Sequence, residues 1–127
     1  MENNEHMKLV KGIIDHFESK GLKIISAAYE GFEKCEIIGN HEPDVIAKKS
    51  NEDNYSIGEA KTCKDLTTDR TRVQFEDFGN TVILKKGATR TYIPFCIAVP
   101  KKCVDDLKYY LTEMGLGMNE NIEIIGI

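Results

Sequence analysis

The sequence predicts a single α/β domain, residues 1–127, in which helices cover the faces of a mixed β-sheet. The chain has 127 residues, of which 41% are hydrophobic, so it is long enough for one ordinary core and too short for two. Apolar residues recur at helical spacing in some stretches and in strand-like runs in others. The resulting order of helix, three to four strands, helix, strand, helix and strand is typical of a mixed sheet with helices on its faces.

The first half of the chain predicts one amphipathic helix followed by short antiparallel strands. Val10, Ile13 and Phe17 repeat at helical spacing within residues 4–20, and Gly21 follows as a stop. Runs with strand character come next. They are LKIISAAYE at residues 22–30, EKCEIIG at 33–39, PDVIA at 43–47 and NYSIGEAKT at 54–62, the last two joined by KKSNED.

The second half predicts two more helices and two more strands. A helix is expected from about Thr68 to Lys86, with Thr68 or Asp69 as its cap and Gly87 as its stop. The apolar run TYIPFCIAV at residues 91–99 predicts a buried strand. NIEIIGI at the end of the chain predicts a last strand. Before it, the apolar face of a third helix consists of Val104, Leu107, Leu111 and Met114.

Composition favours a soluble, cytoplasmic protein. No stretch approaches the roughly 18 to 20 apolar residues of a membrane span, and MENNEHMK at the start lacks the apolar stretch of a secretory signal. The cysteines are far apart and form no CxxC pair, which argues against a zinc knuckle and favours buried, reduced thiols. They are Cys35, Cys63, Cys96 and Cys103.

The formal net charge of -4 conceals a basic segment. Residues 61–102 contain nine Lys or Arg and four Asp or Glu, a net charge of +5, whereas the remainder holds eight and seventeen, a net charge of -9. An acidic protein can therefore present a basic face, and such a face is what a phosphate backbone recognises.

Two acidic residues are expected to face each other across a hairpin. If PDVIA and YSIGEAK pair around a turn near Asn51 and Glu52, the antiparallel partners sum to about 103 in residue number, which sets Asp44 opposite Glu59. Lys61 lies two residues after Glu59 and shares its face of the strand. Because opposed carboxylates repel, a fold that keeps them usually holds a cation between them.

The expected cluster suits the hydrolysis of a phosphodiester. The carboxylates of Asp44 and Glu59 and the backbone carbonyl of Ala60 are hard oxygen ligands for Mg²⁺, which lowers the pKa of a bound water and neutralises charge on the phosphate. Lys61 is placed to orient or help deprotonate the attacking water. The alternative interpretation is a solvated edge hairpin with an ordinary Lys to Glu pair across it.

Pro43-Asp44 followed by Glu59-Ala60-Lys61 resembles the signature of the PD-(D/E)XK nuclease superfamily. The surrounding order of elements is similar to that superfamily's restriction-endonuclease-like core. The resemblance implies an α-β-β-β-α-β arrangement around a mixed sheet, here with an added C-terminal helix and strand. It also implies that Asp44 and Glu59 bind Mg²⁺, that Mn²⁺ can substitute, and that Lys61 acts at the water.

The resemblance implies two further site residues. Many members carry a glutamate in the first helix near the metal, and Glu5 is the favoured match, with Glu2 a weaker one. Archaeal Holliday junction resolvases and relatives of the RecB nuclease domain carry a glutamine early in the helix after the catalytic strand, where this chain has Gln74. Glu5 can equally be an acid favoured by the helix dipole, and Gln74 an ordinary surface residue.

Basic residues after the motif suggest a contact with DNA. Lys64, Arg70 and Arg72 lead into the second helix, whose N-terminus offers free N–H groups and a positive dipole end. Few aromatic residues stand at exposed-looking positions, so contact is expected with the DNA backbone rather than with bases. The alternative is a solvated cationic surface balanced by Asp65 and Asp69.

The sequence therefore predicts a small Mg²⁺-dependent DNA nuclease. Because the chain leaves no room for a separate recognition domain, we expect a homodimer or a recognition partner protein. A second hypothesis is a nuclease-like module that binds nucleic acid or a protein partner without cutting. A third is an unrelated α/β domain with a small-ligand pocket away from Asp44 and Glu59.

Overall fold

A computed structural model describes residues 3–49, 54–85 and 89–127. Its helices and strands follow the predicted order, except that the strand predicted at 91–99 is divided between two sheets and a further strand precedes it. The helices are α1 (Asn3–Ser19), α2 (Asp69–Gly79) and α3 (Val104–Glu113). The strands are β1 (Lys23–Ala27), β2 (Val45–Lys48), β3 (Tyr55–Ala60), β4 (Val82–Lys85), β5 (Thr89–Tyr92), β6 (Phe95–Val99) and β7 (Ile122–Gly126).

A mixed five-stranded sheet, in the order β1-β2-β3-β6-β7, forms the centre of the molecule. Strands β1, β2 and β3 are antiparallel neighbours, whereas β6 runs parallel to β3 and β7 runs parallel to β6. Strands β4 and β5 pair separately as a two-stranded antiparallel sheet. The prediction of an α/β fold with a mixed sheet between helices is thus confirmed.

Helices cover both faces of the five-stranded sheet. Successive side chains of β6 point alternately into the cores on the two faces. Phe95, Ile97 and Val99 belong to the core that packs against α2 and α3, whereas Cys96 and Ala98 belong to the core beneath α1. Such alternation follows from the two-residue period of a strand. Because both faces are covered, all five residues of β6 are buried.

Helix α1 lies very close to β3, and Gly58 permits this approach. A Cβ atom at position 58 would lie 2.6 Å from Cγ2 of Ile13 and 3.5 Å from Cε2 of Phe17. Both helix residues are buried. The absence of a side chain at Gly58 therefore sets the distance between the first helix and the strand that carries Glu59.

The predicted hairpin register is confirmed. Val45 pairs with Gly58 and Ile46 with Ile57, so partners sum to 103 as expected. The turn predicted near Asn51 and Glu52 falls outside the described residues. The first helix also ends as predicted, with Gly21 at a φ of 81°.

The strand predicted at residues 33–39 is wrong. Strands β1 and β2 pair directly with each other, so the segment between them has no neighbour to join. Ile37 is 67% exposed, while Cys35 turns into the core. At the end of the segment, Ile38 forms a single isolated antiparallel bridge with His41.

The second helix is shorter than predicted. It ends at Gly79 rather than near Lys86, and Asn80 caps it with a backbone N–H donated to the carbonyls of Asp77 and Phe78. The chain then enters β4 at Val82, where β-branched residues favour an extended backbone. The predicted stop at Gly87 lies outside the described residues.

The prediction of four reduced thiols is wrong for two of them. Cys63 and Cys103 form a disulfide with their Cα atoms 5.8 Å apart, while Cys35 and Cys96 are free and buried. The bonded pair is 40 residues apart in sequence, and only the fold brings it together. A cytoplasmic location, which we expected, is not the usual setting for such a bond.

None of the helices in the described ranges has both the length and the apolar composition needed to cross a membrane.

We predict that Gly58→Ala destabilises the protein by about 1–3 kcal/mol, because the new methyl group overpacks the contact with Ile13. Urea unfolding followed by circular dichroism would measure the loss. In an Ile13→Ala background, which removes the obstructing atoms, the same substitution should cost much less. An equal cost in both backgrounds would contradict the proposed contact.

Candidate functional site

The strand register brings Asp44 and Glu59 together. Asp44 directly precedes β2, and its backbone N–H donates to the carbonyl of Gly58 at 2.9 Å. Val45, the next residue, pairs with Gly58, so the β2–β3 register continued by one residue sets Asp44 beside Glu59. The two side chains therefore lie on the same face of the sheet, the face of Ile46 and Ile57, which packs against α2 and α3.

Asp44 is held by groups from two other elements. Its Oδ2 accepts a hydrogen bond from the backbone N–H of Ala60 at 2.9 Å and lies 3.2 Å from Nε2 of His6. The side chain is 14% exposed, so it can still be reached from solvent. These contacts fix one oxygen and direct the carboxylate toward the end of β3.

Glu59 is the buried acid of the site, with 4% of its surface exposed. Its Oε2 lies 3.4 Å from Nζ of Lys61, whereas its Oε1 is buried without a hydrogen-bond partner among the described residues. Burial first, and the Asp44 carboxylate second, raise the pKa of Glu59 from 4.5 to about 8, although Lys61 opposes them. An unpaired buried carboxylate oxygen is costly unless a proton or a cation satisfies it.

Lys61 and Gln74 meet beside these acids. Nζ of Lys61 donates a short hydrogen bond to Oε1 of Gln74 and also contacts Glu59. Gln74 is buried on α2 next to Phe75, so the α2 side of the molecule holds the lysine in place. The structure therefore brings together Asp44, Glu59, Lys61 and Gln74, the first three as the hairpin geometry implies.

His6 joins the site although sequence reasoning did not select it. Its hydrogen bond to Asp44 raises the pKa of His6; burial partly opposes this, and a weaker hydrogen bond to the Ala60 backbone adds to it. The signal was present in the helical pattern, because His6 precedes Val10 by four residues and Ile13 by seven. It extends the buried stripe of α1 by one turn.

Glu5, the favoured glutamate of the first helix, is not brought into the cluster. It is exposed, and in the described part of the chain it forms neither a side-chain hydrogen bond nor an ion pair. One residue along an α-helix turns the side chain by about 100°, which is why His6 and not Glu5 faces Asp44. Glu2 lies outside the described residues.

The predicted DNA-binding residues lie on the surface just past the site. Lys64, Arg70 and Arg72 are exposed. Arg72 lies 3.8 Å from Glu76 one turn later, a weak surface pair that leaves its charge accessible. The hydroxyl of Thr68 accepts from the N–H of Thr71, so one of the free N–H groups expected at the α2 N-terminus is already satisfied.

The loop that leads into Asp44 is anchored on α2. Oδ2 of Asp77 lies 2.7 Å from Nδ1 of His41 and accepts a hydrogen bond from the backbone N–H of Asn40 at 2.8 Å. The side chain of His41 is 25% exposed, and its contact with Asp77 anchors it. This contact fixes the path of the chain before Pro43.

The donor groups present fit a hard divalent cation. Asp44 and Glu59 supply carboxylate oxygens, and the unsatisfied Oε1 of Glu59 is an atom that a cation would satisfy. The carbonyl of Ala60, the last residue of β3, directly follows Glu59 in the chain.

No protein-family model, curated protein or solved structure matches this chain.

We predict that the metal-free protein loses stability as pH rises. Glu59 has a pKa of about 8 when folded and an ordinary value of 4.5, so between these values the folded state binds more protons than the unfolded state and its free energy of unfolding falls with pH. The loss should be on the order of 1–3 kcal/mol. Urea unfolding in a chelator at several pH values would measure it.

Glu59→Gln should flatten this pH dependence, because the amide resembles the protonated acid in shape but does not ionise. Glu36→Gln, at an exposed position, is the matched control and should leave the slope unchanged. A slope that survives Glu59→Gln would show that another group titrates.

Proposed function

We propose that this chain is a divalent-metal-dependent nuclease that hydrolyses phosphodiester bonds of DNA. The observation that carries the proposal is the buried Glu59 carboxylate, which lies near Asp44 and Lys61 with one oxygen unsatisfied in the described structure. A stable fold has little reason to bury such a group unless a ligand pairs with it. The proposal includes a restriction-endonuclease-like core, which the order α1, β1–β3, α2 and β6 supports.

Asp44, Glu59 and the Ala60 carbonyl would hold the cation, Mg²⁺ or Mn²⁺, which supplies a bound water of lowered pKa and neutralises charge on the phosphate. Both carboxylates must be ionised to bind it. The proton on Glu59 is therefore released when a cation enters, and affinity for the cation should rise with pH up to about 8.

Lys61 is the residue that we propose acts on the water and the phosphate. Its side chain is 11% exposed, and its ammonium group is held between Glu59 and Gln74. A lysine fixed in this way donates hydrogen bonds without having to be ordered during the reaction. Gln74 is a positioning residue, because its contact in the structure is with Lys61.

His6 has a different proposed role. Its raised pKa favours the protonated ring, which places a positive charge beside Asp44. That charge balances the acidic cluster before a cation binds. When a cation takes over this role, His6 can release its proton and then accept one near Asp44, which suits proton transfer at the reacting centre.

The exposed basic residues after β3 support DNA as the substrate. Lys64, Arg70 and Arg72 are accessible to solvent and follow Lys61 closely in the chain. Contacts from such residues to phosphates are independent of sequence and weaken with salt. A homodimer, or a partner protein that selects the target, completes the proposal, since two active sites would suit a duplex cut on both strands.

We predict that the purified protein cleaves DNA in Mg²⁺ or Mn²⁺ and that Asp44→Asn and Lys61→Ala each lower the rate by at least about 100-fold. Supercoiled, linear, single-stranded and four-way-junction DNA would be compared, with EDTA as the metal control. Lys108→Ala removes an exposed lysine on α3 and should leave the rate unchanged.

The same samples separate the enzyme from a binding module. If the folded protein binds these DNAs but cuts none, and if neither metal nor Asp44→Asn alters binding, the nuclease proposal is overturned in favour of the module. Loss of cleavage in Lys108→Ala to the same extent as in Lys61→Ala would also contradict the assigned roles.

A further inference from the structure

A second group of possible metal ligands lies far along α1 from the acidic cluster. His16 stands in the last turns of α1, Cys96 in β6 and Glu123 in β7. Cys96 and Glu123 are paired residues on adjacent parallel strands, and His16 approaches them from the helix that covers this face. One ligand atom from each residue lies within 4.8 Å of the others.

The donor atoms of this group differ in kind from those of the acidic cluster. An imidazole nitrogen, a sulfur and a carboxylate oxygen are the ligands that Zn²⁺ takes in proteins, whereas Mg²⁺ prefers oxygen. His6 and His16 are ten residues apart on α1, which corresponds to about 15 Å along a helix. The two groups therefore call for different ions at separate places.

Two of the three donor atoms are buried. Nε2 of His16 is buried and has no hydrogen-bond partner of good geometry in the described ranges, although it lies 3.0 Å from Oε1 of Glu123. Cys96, which carries the thiol, is buried, with 2% of its surface exposed. A buried imidazole nitrogen aimed at a thiol and a carboxylate is an arrangement that a metal ion would satisfy.

The ammonium group of Lys20 would compete with a metal ion for the carboxylate of Glu123. Its Nζ donates to Oε1 of Glu123 at 3.2 Å, so the carboxylate is already paired with a positive charge. The lysine side chain is 50% exposed, and an exposed ion pair of this kind is weak. Lys20 can therefore move into solvent at little cost when a cation binds.

We propose that His16, Cys96 and Glu123 form a site for a zinc-type divalent ion, with three protein ligands and a fourth position open to solvent. A groove of about 810 Å³ adjoins the group and is lined by Lys20, Cys96 and Glu123 among others. Three protein ligands with an open fourth position are typical of a zinc site that takes water or another small ligand. Binding joins the thiolate sulfur to the metal and releases the thiol proton to solvent.

Such an ion would tie α1 to β6 and β7. The polar side chains that link α1 to β7 at this place, those of His16, Lys20 and Glu123, are partly exposed. A ligand that binds the folded state alone raises the thermal midpoint, by an amount that grows with the logarithm of its concentration relative to its Kd. Zn²⁺ should therefore raise the midpoint of the wild-type protein.

Titration with Co²⁺ tests the site directly, because a thiolate ligand gives a sulfur-to-cobalt charge-transfer absorption that oxygen ligands do not. The protein is used with its Cys63–Cys103 disulfide intact. We expect the band in the wild type, its loss in Cys96→Ser, and its retention in Cys35→Ser and Asp44→Asn. No band in the wild type, or a band that depends on Cys35, would overturn the proposal.

Competition with a chromophoric chelator gives the affinity for Zn²⁺ and covers the case in which Cys96→Ser fails to fold. His16→Gln and Glu123→Gln change partly exposed residues, and each should weaken binding at least about tenfold. Even the loss of a residue that only hydrogen-bonds a metal ligand typically lowers the affinity for the metal by about tenfold or more. Lys20→Met should tighten binding, because it removes the competing charge. Unchanged affinity in both ligand variants would contradict the assignment.

Discussion

The pairing of β2 with β3 forces two carboxylates together, and the geometry of the site depends on this constraint. The register follows from burial, because a slip of one residue would turn Val45 and Ile57 away from the cores that they fill. Once the register is fixed, Asp44 has to stand opposite Glu59. The energetic cost of the buried acid is therefore imposed by the same contacts that stabilise the sheet.

Elements from both sides of the sheet respond to this constraint. From one side, α1 brings His6 to Asp44, and the close approach at Gly58 sets how near it comes. From the other, α2 supplies Gln74 to Lys61 and Asp77 to the loop before Asp44. A substitution in either helix would thus change the geometry of the site without altering Asp44 or Glu59 themselves, as expected where the core is close-packed.

The sequence was sufficient where a single strand or helix decided the outcome. Alternation and residue numbering predicted the register of the hairpin, and helical spacing predicted α1 and α3. It was insufficient where distant residues had to meet. The disulfide joins positions 40 residues apart, and the segment at 33–39 alternates like a strand but finds no place in the sheet. The helical spacing of α1 could have predicted His6, but the family resemblance indicated the neighbouring Glu5 instead.

The titration of the Glu59 carboxyl carbon, followed by NMR with and without Mg²⁺, tests the central claim most directly. We predict a pKa near 8 in the metal-free protein and a fall below the ordinary value of 4.5 when Mg²⁺ saturates the site, because the ion replaces the proton. A pKa that Mg²⁺ leaves unchanged would contradict the assignment of Glu59 as a metal ligand and, with it, the proposed chemistry.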